Sequence, residues 1–325
     1  MSLSIGVDVS KGKFDVALLT AQSKYRCKVF HNTASGFEEF LHWIETHVEQ
    51  GRSNAQVCME ATGTYHQELA NYLFDHQVRV FVVNPLRVKR FVESEGLRNK
   101  TDKGDAKALA RFALHNELEP WEAPSKSVRE LQALVIRLES LQTMRLSELN
   151  RLEVAHPSIC DSIATIVAAL ESQIETVRQL ISKTIDDDPD LKQRQDLLET
   201  IPGLGSTSIP SLLAYIGKPE RFGTAKSLAA YAGLTPAIRQ SGTSLDKRQG
   251  LHPMGHSALR KALFYPAMTA GRYNPIVAAL WQRLKAQNKP GKVILVACMH
   301  KLLAIAYGVL KSKRPFDPSL VPKSA

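Results

Sequence analysis

The sequence predicts a mixed α/β domain at the N-terminus, followed by a mostly helical remainder. The first 115 residues alternate between short apolar runs typical of strands and longer stretches with helical spacing. Residues 126–187, by contrast, contain no Gly and a single Pro, which favours long helices. With 325 residues, of which 44% are hydrophobic and 23% charged, the chain has room for two or three globular domains. We expect these to cover residues 1–125, 126–189 and 190–325.

The first of these regions is predicted to contain five strands and three helices. The stretches SIGVDVS, FDVALLT and YRCKVFHN follow one another at short intervals, which favours three antiparallel strands. After them, GFEEFLHWIETHVE, YHQELANYLFDH and DKGDAKALARFALH have helical spacing, and the apolar runs AQVCMEA and VRVFVVN alternate with these helices as strands. This order predicts a mixed sheet with helices on its faces.

Two apolar stripes indicate a long helical hairpin over residues 126–189. Pro157 separates the stripes, and the acidic turn DDDPD ends the second one. The second stripe comes close to the repeat of about 3.5 residues that coiled coils show, so the hairpin is interpreted as a coiled coil that joins subunits. Ordinary packing within one chain is the alternative. The two stripes consist of Leu131, Leu134, Leu138, Leu141, Leu149 and Leu152, and of Ile163, Ile166, Leu170, Ile174, Val177, Ile181 and Ile185.

The last third of the chain is helical with Gly-rich joints and strongly basic. Residues 201–325 carry 18 Lys and Arg against 3 Asp and Glu, whereas the rest of the chain is slightly acidic although the whole has a net charge of +10. Such a concentration of positive charge predicts a polyanionic partner, and we expect nucleic acid. A basic surface that only contacts solvent is the alternative.

Nothing in the sequence indicates a membrane or secreted protein. No apolar run approaches the roughly 20 residues that span a bilayer, and the N-terminal MSLSIGVDVSKGK lacks the charged and apolar regions of a signal peptide. The four cysteines are scattered without a C-x-x-C pair, which favours reduced thiols in the cytoplasm.

Four acidic residues form a candidate metal site. Asp8 lies in the middle of the first predicted strand, and Glu60 ends a later one, where α/β sheets place their ligands. Asp102 and Asp105 share one helical side with Leu109, the side expected to face the sheet, although a helix cap would account for one of the two acids. Two carboxylates about 4 Å apart repel by roughly 4 kcal/mol, so four converging acids require a cation. Oxygen ligands favour Mg²⁺, with Mn²⁺ able to substitute, and a pair of such ions would act on a phosphodiester.

Several residues of the last third are candidates for contact with nucleic acid. Gly203 and Gly205 in IPGLGSTS suit a helix-hairpin-helix turn that approaches a phosphate, with a plain turn as the alternative. The stretch GLTPAIRQSGTSLDKRQG is predicted to be a loop in which the hydroxyls of Ser241, Thr243 and Ser244 lie among cations. Hydroxyls beside arginines usually hydrogen-bond a phosphate. His252 and His256 have a spacing that zinc sites use, but no third ligand is evident. The cations expected to contact phosphate here are Arg239, Lys247, Arg248, Arg260 and Lys261.

The motifs GVDVSK, MEATGTY and RNKTDKGDAKALA resemble those of the DEDD transposases of bacterial insertion sequences, which include the pilin-gene invertases. The resemblance covers essentially the full chain. It implies a ribonuclease-H-like, RuvC-like N-terminal domain whose metal-binding acids are Asp8, Glu60, Asp102 and Asp105. It also implies a helical coiled-coil spacer, and a mostly α transposase domain in which Ser241 attacks DNA. A dimer or tetramer, donor and target DNA as substrates, and a structured guide RNA encoded by the element are implied by the resemblance as well.

Three other functions are compatible with parts of the sequence. A RuvC-like nuclease that resolves Holliday junctions would hydrolyse DNA with the acids alone and need no serine. A sugar-kinase-like ATPase is suggested by GVDVSKGKFDVALL, but it would need a second phosphate loop and a longer chain. A non-catalytic nucleic-acid scaffold would need none of the acids.

Overall fold

The structure is a computed structural model that describes residues 3–20, 24–48, 51–61, 65–96, 102–241, 245–251 and 255–320. Within helices and strands, the side chains of residues 102–103 and 236–251 lie outside this description. The chain divides into two compact units, Met1–Ala123 and Pro124–Ala325. The hydrophobic clusters of the two units share no residue, so each unit has a core of its own.

The first unit contains the predicted strands and helices and one helix more. Its elements are β1 Leu3–Val9, β2 Lys13–Leu19, β3 Tyr25–His31, α1 Ala34–His47, β4 Ala55–Glu60, α2 Tyr65–Asp75, β5 Arg79–Val83, α3 Pro85–Ser94 and α4 Asp102–His115. The sequence analysis did not predict α3. Its start is marked by Asn84, whose side chain caps the helix by accepting from the Leu86 N–H, and by Pro85 at the first helical position.

The five strands form one mixed sheet in the order β3-β2-β1-β4-β5. The first three strands are antiparallel neighbours, as predicted, and β4 and β5 run parallel to β1. This topology fits the ribonuclease-H-like architecture that the resemblance implied.

The two faces of the sheet are covered by different helices. Residues Ile5, Val7 and Val9 of β1 pack with α1 and α2 in one cluster. On the opposite face, Cys58 of β4 and Phe81 of β5 pack with α3 and α4 in another. The alternation of β1 therefore directs Gly6 and Asp8 towards the face that α4 covers.

The second unit is mostly helical. Its elements are α5 Lys126–Glu153, α6 Pro157–Asp186, α7 Pro189–Glu199, α8 Ile209–Ile216, α9 Ala225–Ala232, β6 Pro236–Ser241, β7 Leu245–Leu251, α10 Ser257–Tyr273, α11 Pro275–Ala286 and α12 Gly291–Ser312. Short 3-10 turns add Gly51–Asn54 in the first unit, and Pro219–Arg221 and Pro318–Leu320 in the second.

The long helices α5 and α6 form an antiparallel hairpin within the chain. Arg145 pairs with Glu171 across it at 2.6 Å, while Leu131 and Ile185, near the two outer ends, belong to the same buried cluster. The Gln132 side chain donates to the Ala214 carbonyl oxygen of α8 at 2.7 Å. The base of the hairpin thus packs on the remainder of the second unit, and association of the hairpin with another subunit stays a prediction.

Two expectations need correction. The stretch 233–250 is not a plain loop, because β6 and β7 pair as an antiparallel hairpin with Ser241 opposite Leu245. In addition, α12 is long and apolar enough to cross a bilayer by length and composition, which the sequence analysis had excluded. Leu302, Leu303 and Ala306 of α12 are fully buried, as in the core helix of a soluble fold.

Candidate active site

Three carboxylates lie in one row across the sheet. The β1–β2 register pairs Asp8 with Asp15, and directly paired residues of antiparallel strands project to the same face. On the other side of β1, Val7 is level with Met59, so Glu60 is level with Asp8 one residue further along. Neighbouring strands are about 4.8 Å apart, so the backbones of Asp15, Asp8 and Glu60 follow one another at that interval.

Helix α4, which carries the other two predicted acids, packs along β1. The Ser4 hydroxyl donates to the Ala110 carbonyl oxygen at 2.7 Å, and a Cβ at Gly6 would overlap the Ala106 carbonyl oxygen. Two residues along a strand cover about 6.7 Å and four along a helix about 6 Å. Asp8 is two residues beyond Gly6 on β1, and four residues before Ala106 is the first turn of α4, so the next contact in this series is expected there. We therefore expect the first turn of α4, where Asp102 and Asp105 lie, to be level with Asp8.

The structure describes the side chains of three of the four predicted acids. Asp8, Glu60 and Asp105 are half-buried, whereas the side chain of Asp102 lies outside the described part. Among the side chains that are described, no group of three or more His, Cys, Asp and Glu has the geometry of a metal site. Convergence of all four acids stays a prediction.

The residues present nevertheless fit a hard divalent cation. The set consists of carboxylates alone, and two of its members occupy adjacent positions on parallel strands. Cys58, whose Cα is level with Gly6 on the neighbouring strand, offers no competing thiolate, because burial raises the pKa of its thiol to about 12.

Asp15 was missed by the sequence analysis. Its side chain is 6% exposed, and its Oδ2 lies 3.0 Å from Nζ of Lys13. The Lys13 side chain is itself 46% exposed. Lys13, Asp15 and Ala17 alternate with the core residues of β2, a pattern that places Asp15 on the polar face. Its position opposite Asp8 follows only from the register of the two strands.

Ser241 is the last residue of β6. The register pairs Arg239 with Lys247 two residues before the Ser241–Leu245 pair, so two cations occupy opposed positions next to the serine. Thr243 and Ser244 lie outside the described residues, and so do the side chains of the whole hairpin.

The two ends of the β6–β7 hairpin lie close together where they join the rest of the second unit. Gly255 has φ +138°, and a Cβ there would overlap the Cα of Gly233, so the two chain segments touch backbone to backbone. The His256 N–H donates to the Tyr231 carbonyl oxygen at 2.8 Å beside this contact. The ends of the segment that carries Ser241 are thereby fixed.

His256 has a structural position at this base. Its Nδ1 accepts from the Leu259 N–H at the start of α10, and its ring packs against Tyr215 and Tyr231 at centroid distances of 4.6 and 5.5 Å. Burial, followed by the charges of Arg221 and Arg260, lowers the pKa of this histidine. His252, which together with His256 has the spacing of a zinc site, lies outside the described residues.

Of the remaining residues predicted to contact nucleic acid, some have structural partners and others are exposed. Gly203 has φ +104°, and a Cβ there would lie 2.6 Å from the Ala270 Cβ, so helix packing accounts for this glycine. Gly205 is exposed, with no atom near its missing side chain. Arg260 donates to the Ala232 carbonyl oxygen at 3.0 Å, whereas Lys261 is 68% exposed. Gly205 and Lys261 remain open to a ligand, and Arg260 has a structural partner as well.

Comparisons with known proteins point to transposases. A model of the DEDD transposases of IS110 matches residues 5–156, and a model of the IS116/IS110/IS902 transposase family matches residues 195–282. The pilin gene-inverting protein of Moraxella bovis is 36% identical over 96% of this chain and 97% of its own length. An insertion element IS110 protein of Streptomyces coelicolor is 25% identical over 60% of this chain and 46% of its own.

A solved structure of Thermus thermophilus RuvC covers 37% of the chain and 99% of its own length, with 12% identity and a TM-score of 0.27, a similarity too low to carry an argument. The two family models and the near full-length similarity to an inverting protein lead to one conclusion. The chain belongs to the IS116/IS110/IS902 family of transposases.

Proposed function

We propose that this transposase cuts and rejoins DNA strands with Ser241 as nucleophile and a Mg²⁺ site on Asp8, Glu60, Asp102 and Asp105. The observation that carries the proposal is the packing of β4 and α4 against β1, from which we expect all four acids at the same level of the sheet. Membership of a transposase family supports DNA as the substrate.

The proposed chemistry divides between the two units. The Oγ of Ser241 forms a bond to a DNA phosphorus, and the bond from that phosphorus to a sugar oxygen breaks. A carboxylate of the acidic set takes the serine proton and returns it through water to the departing sugar oxygen, which leaves as a hydroxyl. A bound Mg²⁺ would supply charge neutralisation at the phosphate. The phosphoserine ester conserves the phosphodiester energy, so the hydroxyl of another strand can reverse the step and rejoin the DNA.

Two cations beside the serine fit a role in holding the phosphate. Arg239 and Lys247 are paired in the ladder next to Ser241, and Arg248 follows on β7. Guanidinium and ammonium groups bind phosphate oxygens and keep the phosphorus in reach of a nucleophile. Gly205 and Lys261 would contribute contacts to the DNA backbone further along.

Further parts of the proposal concern assembly and location. The helical hairpin α5–α6 exposes apolar side chains, including Leu146 at 59% and Ile166 at 46%, which supports association into a dimer or tetramer. Binding of a structured guide RNA and a cytoplasmic, nucleoid-associated location are proposed from the family resemblance alone.

The decisive experiment uses Ser241→Ala with Ser244→Ala as the matched control. Incubation with Mg²⁺ and a DNA substrate carrying the recombination site, followed by denaturing electrophoresis, should show a protein–DNA adduct for the wild type and for Ser244→Ala. Ser241→Ala should form no adduct and lose strand exchange by at least about a thousandfold, as expected for loss of a covalent nucleophile.

A different result would favour the nuclease instead. If Ser241→Ala cuts DNA at the wild-type rate and no adduct is trapped in any variant, the acids hydrolyse DNA without a serine intermediate. Asp105→Asn should abolish cutting under both mechanisms, and its full activity would contradict the metal site itself.

A further inference from the structure

Helix α10 carries an exposed aromatic and basic surface whose aromatic residues have no part in the proposed chemistry. The α10 face consists of Lys261, Phe264, Tyr265, Met268 and Arg272, whose spacing of three or four residues puts them on one side of the helix. Tyr265 is 75% exposed, Met268 43% and Phe264 41%. The opposite side of α10 packs into the core of the second unit through Leu259, Leu263, Pro266, Ala267 and Ala270.

The two aromatic rings of the α10 face contact each other. The ring of Phe264 meets that of Tyr265 edge-on, with centroids 5.2 Å apart and an interplanar angle of 84°. Lys261 and Arg272 lie at the two ends of the face, eleven residues and so about 16 Å apart along the helix. Stacked nucleotides rise by about 3.4 Å per strand, so this distance spans several of them.

The charge around the α10 face identifies the chemistry of its partner. Residues 247–316 contain 13 Lys and Arg and no Asp or Glu. In the described part of the chain, the carboxylate paired with a cation of α10 is Glu139 of α5, 3.7 Å from Lys261. A second copy docking on this face symmetrically would place cations against cations, whereas a nucleic acid would bring phosphates to both ends.

Aromatic side chains select the state of the nucleic acid. A ring stacks on a base only where the face of the base is open, and in a duplex that face is covered by the neighbouring pairs. Cations recognise duplex and single strand alike through phosphate. The combination of exposed rings between two cations therefore fits an unpaired strand.

We propose that the α10 face binds an unpaired DNA strand, with bases stacked on Tyr265 and Phe264 and phosphates on Lys261 and Arg272. The inference rests on the proposed function, since exchange of strands between two duplexes passes through unpaired DNA. It adds a surface for the strand that has been separated from its partner.

The test is a fluorescence-anisotropy titration of the full chain with a short poly-thymidine strand and with a duplex of poly-thymidine and poly-adenosine. Tyr265→Ala should weaken binding of the single strand about 5- to 150-fold, the equivalent of about 1–3 kcal/mol for one stacked base, and change duplex binding little. Tyr265→Phe keeps the ring and should bind like the wild type. Val154→Ala, at a residue 86% exposed outside the face, is the matched control.

Other occupants would give other results. Unchanged single-strand affinity in the double variant Phe264→Ala with Tyr265→Ala, while both proteins melt at the same temperature, overturns the proposal. A fall in oligomer mass for that variant would instead mark an interface between copies. Tighter binding of poly-uridine, or of phosphatidylglycerol vesicles, that is lost with Tyr265→Ala would assign the face to RNA or to lipid.

Failure of this inference can be told apart from failure of the proposed function. The covalent adduct depends on Ser241 and the acids, so a protein whose α10 face does not bind single strands can still form it. An absent adduct with intact, Tyr265-dependent binding of single strands would refute the serine mechanism alone.

Discussion

At Gly6 the backbone of β1 touches helix α4 with no side chain between them. A methyl group there would overlap the Ala106 carbonyl oxygen and approach the Leu109 Cβ to 2.9 Å, both on α4. Since neither atom lies at the end of a flexible side chain, the helix would have to move away from the strand. From the same contact we expect the first turn of α4 to be level with Asp8.

Gly6→Ala should therefore destabilise the first unit and disturb the acidic set. We expect a loss of about 1–3 kcal/mol in the free energy of unfolding, the usual cost of inserting a methyl group into a packed contact. Urea titration followed by circular dichroism measures this loss. The rate of strand cutting should fall by more than the loss of folded protein accounts for, because the acids would no longer lie at the same level of the sheet.

Gly12→Ala is the matched control, since no atom lies within 4 Å of the Cβ it would gain. Its unfolding curve should coincide with that of the wild type. An equal shift for both variants would show that the contact between β1 and α4 is not as tight as the structure has it.

Single residues show where sequence alone could predict the site and where it could not. Asp8 is conspicuous because it interrupts an apolar strand, and Glu60 because it ends one. Asp15 sits in a strand just as apolar, FDVALL, but its relation to Asp8 depends on which residues of β1 and β2 are paired, and spacing along the chain does not fix that register.

Among the elements, the hairpin β6–β7 illustrates the limit of periodicity. Its strands PAIRQS and LDKRQGL lack the alternation of apolar and polar residues that predicts a half-buried strand. Between the two strands the sequence also contains Gly, Ser and Thr, which favours a loop. The close approach of Gly233 and Gly255 fixes the ends of the hairpin, and this contact involves residues too far apart for local patterns to predict.

His256 links the stability of the start of α10 to pH. The Leu259 N–H donates to its Nδ1, which can accept only while that nitrogen carries no proton. Because burial lowers its pKa, the folded protein takes up the proton at a lower pH than the unfolded chain, whose imidazole titrates near about 6.5. Stability should therefore fall as the pH drops from about 6.5 to the folded pKa and change no further below it.

His256→Asn is expected to reduce this loss, because the Asn side chain can cap the helix but does not titrate. Thermal unfolding of the wild type and the variant between about pH 7.5 and pH 5.5 measures the difference. His300 also has a lowered pKa through burial, so the variant should keep that part of the pH dependence. Parallel melting-temperature curves for the two proteins would contradict the assignment to His256.

In the whole molecule, the two units have separate hydrophobic cores and opposite net charges. Residues 124–325 hold 27 Lys and Arg against 16 Asp and Glu, a net charge of +11, while residues 1–123 carry a net charge of −1. Apolar periodicity was sufficient to predict the mixed sheet and the long helices, because each of these elements buries one face locally. The packing of α4 on β1 joins segments a hundred residues apart, so it appears only in the structure.

The hairpin α5–α6 is the part of the molecule best suited to join subunits. Its exposed apolar side chains are Ile136, Met144 and Leu146 on α5 and Ile159, Ile166 and Leu180 on α6. Unlike the α10 face, the hairpin carries both signs of charge, as in the pair of Arg145 with Glu171, so two copies can meet without net repulsion.

The double variant Leu146→Glu with Ile166→Glu should therefore convert the oligomer to monomers of 36.0 kDa, because an apolar interface cannot take up unpaired carboxylates. Light scattering measures the mass, and circular dichroism checks that the helices persist. Val293→Glu makes the same change at a residue 51% exposed on α12 and should leave the mass unaltered. A wild-type protein that is already monomeric, or a double variant of unchanged mass, would exclude the hairpin as the contact between subunits.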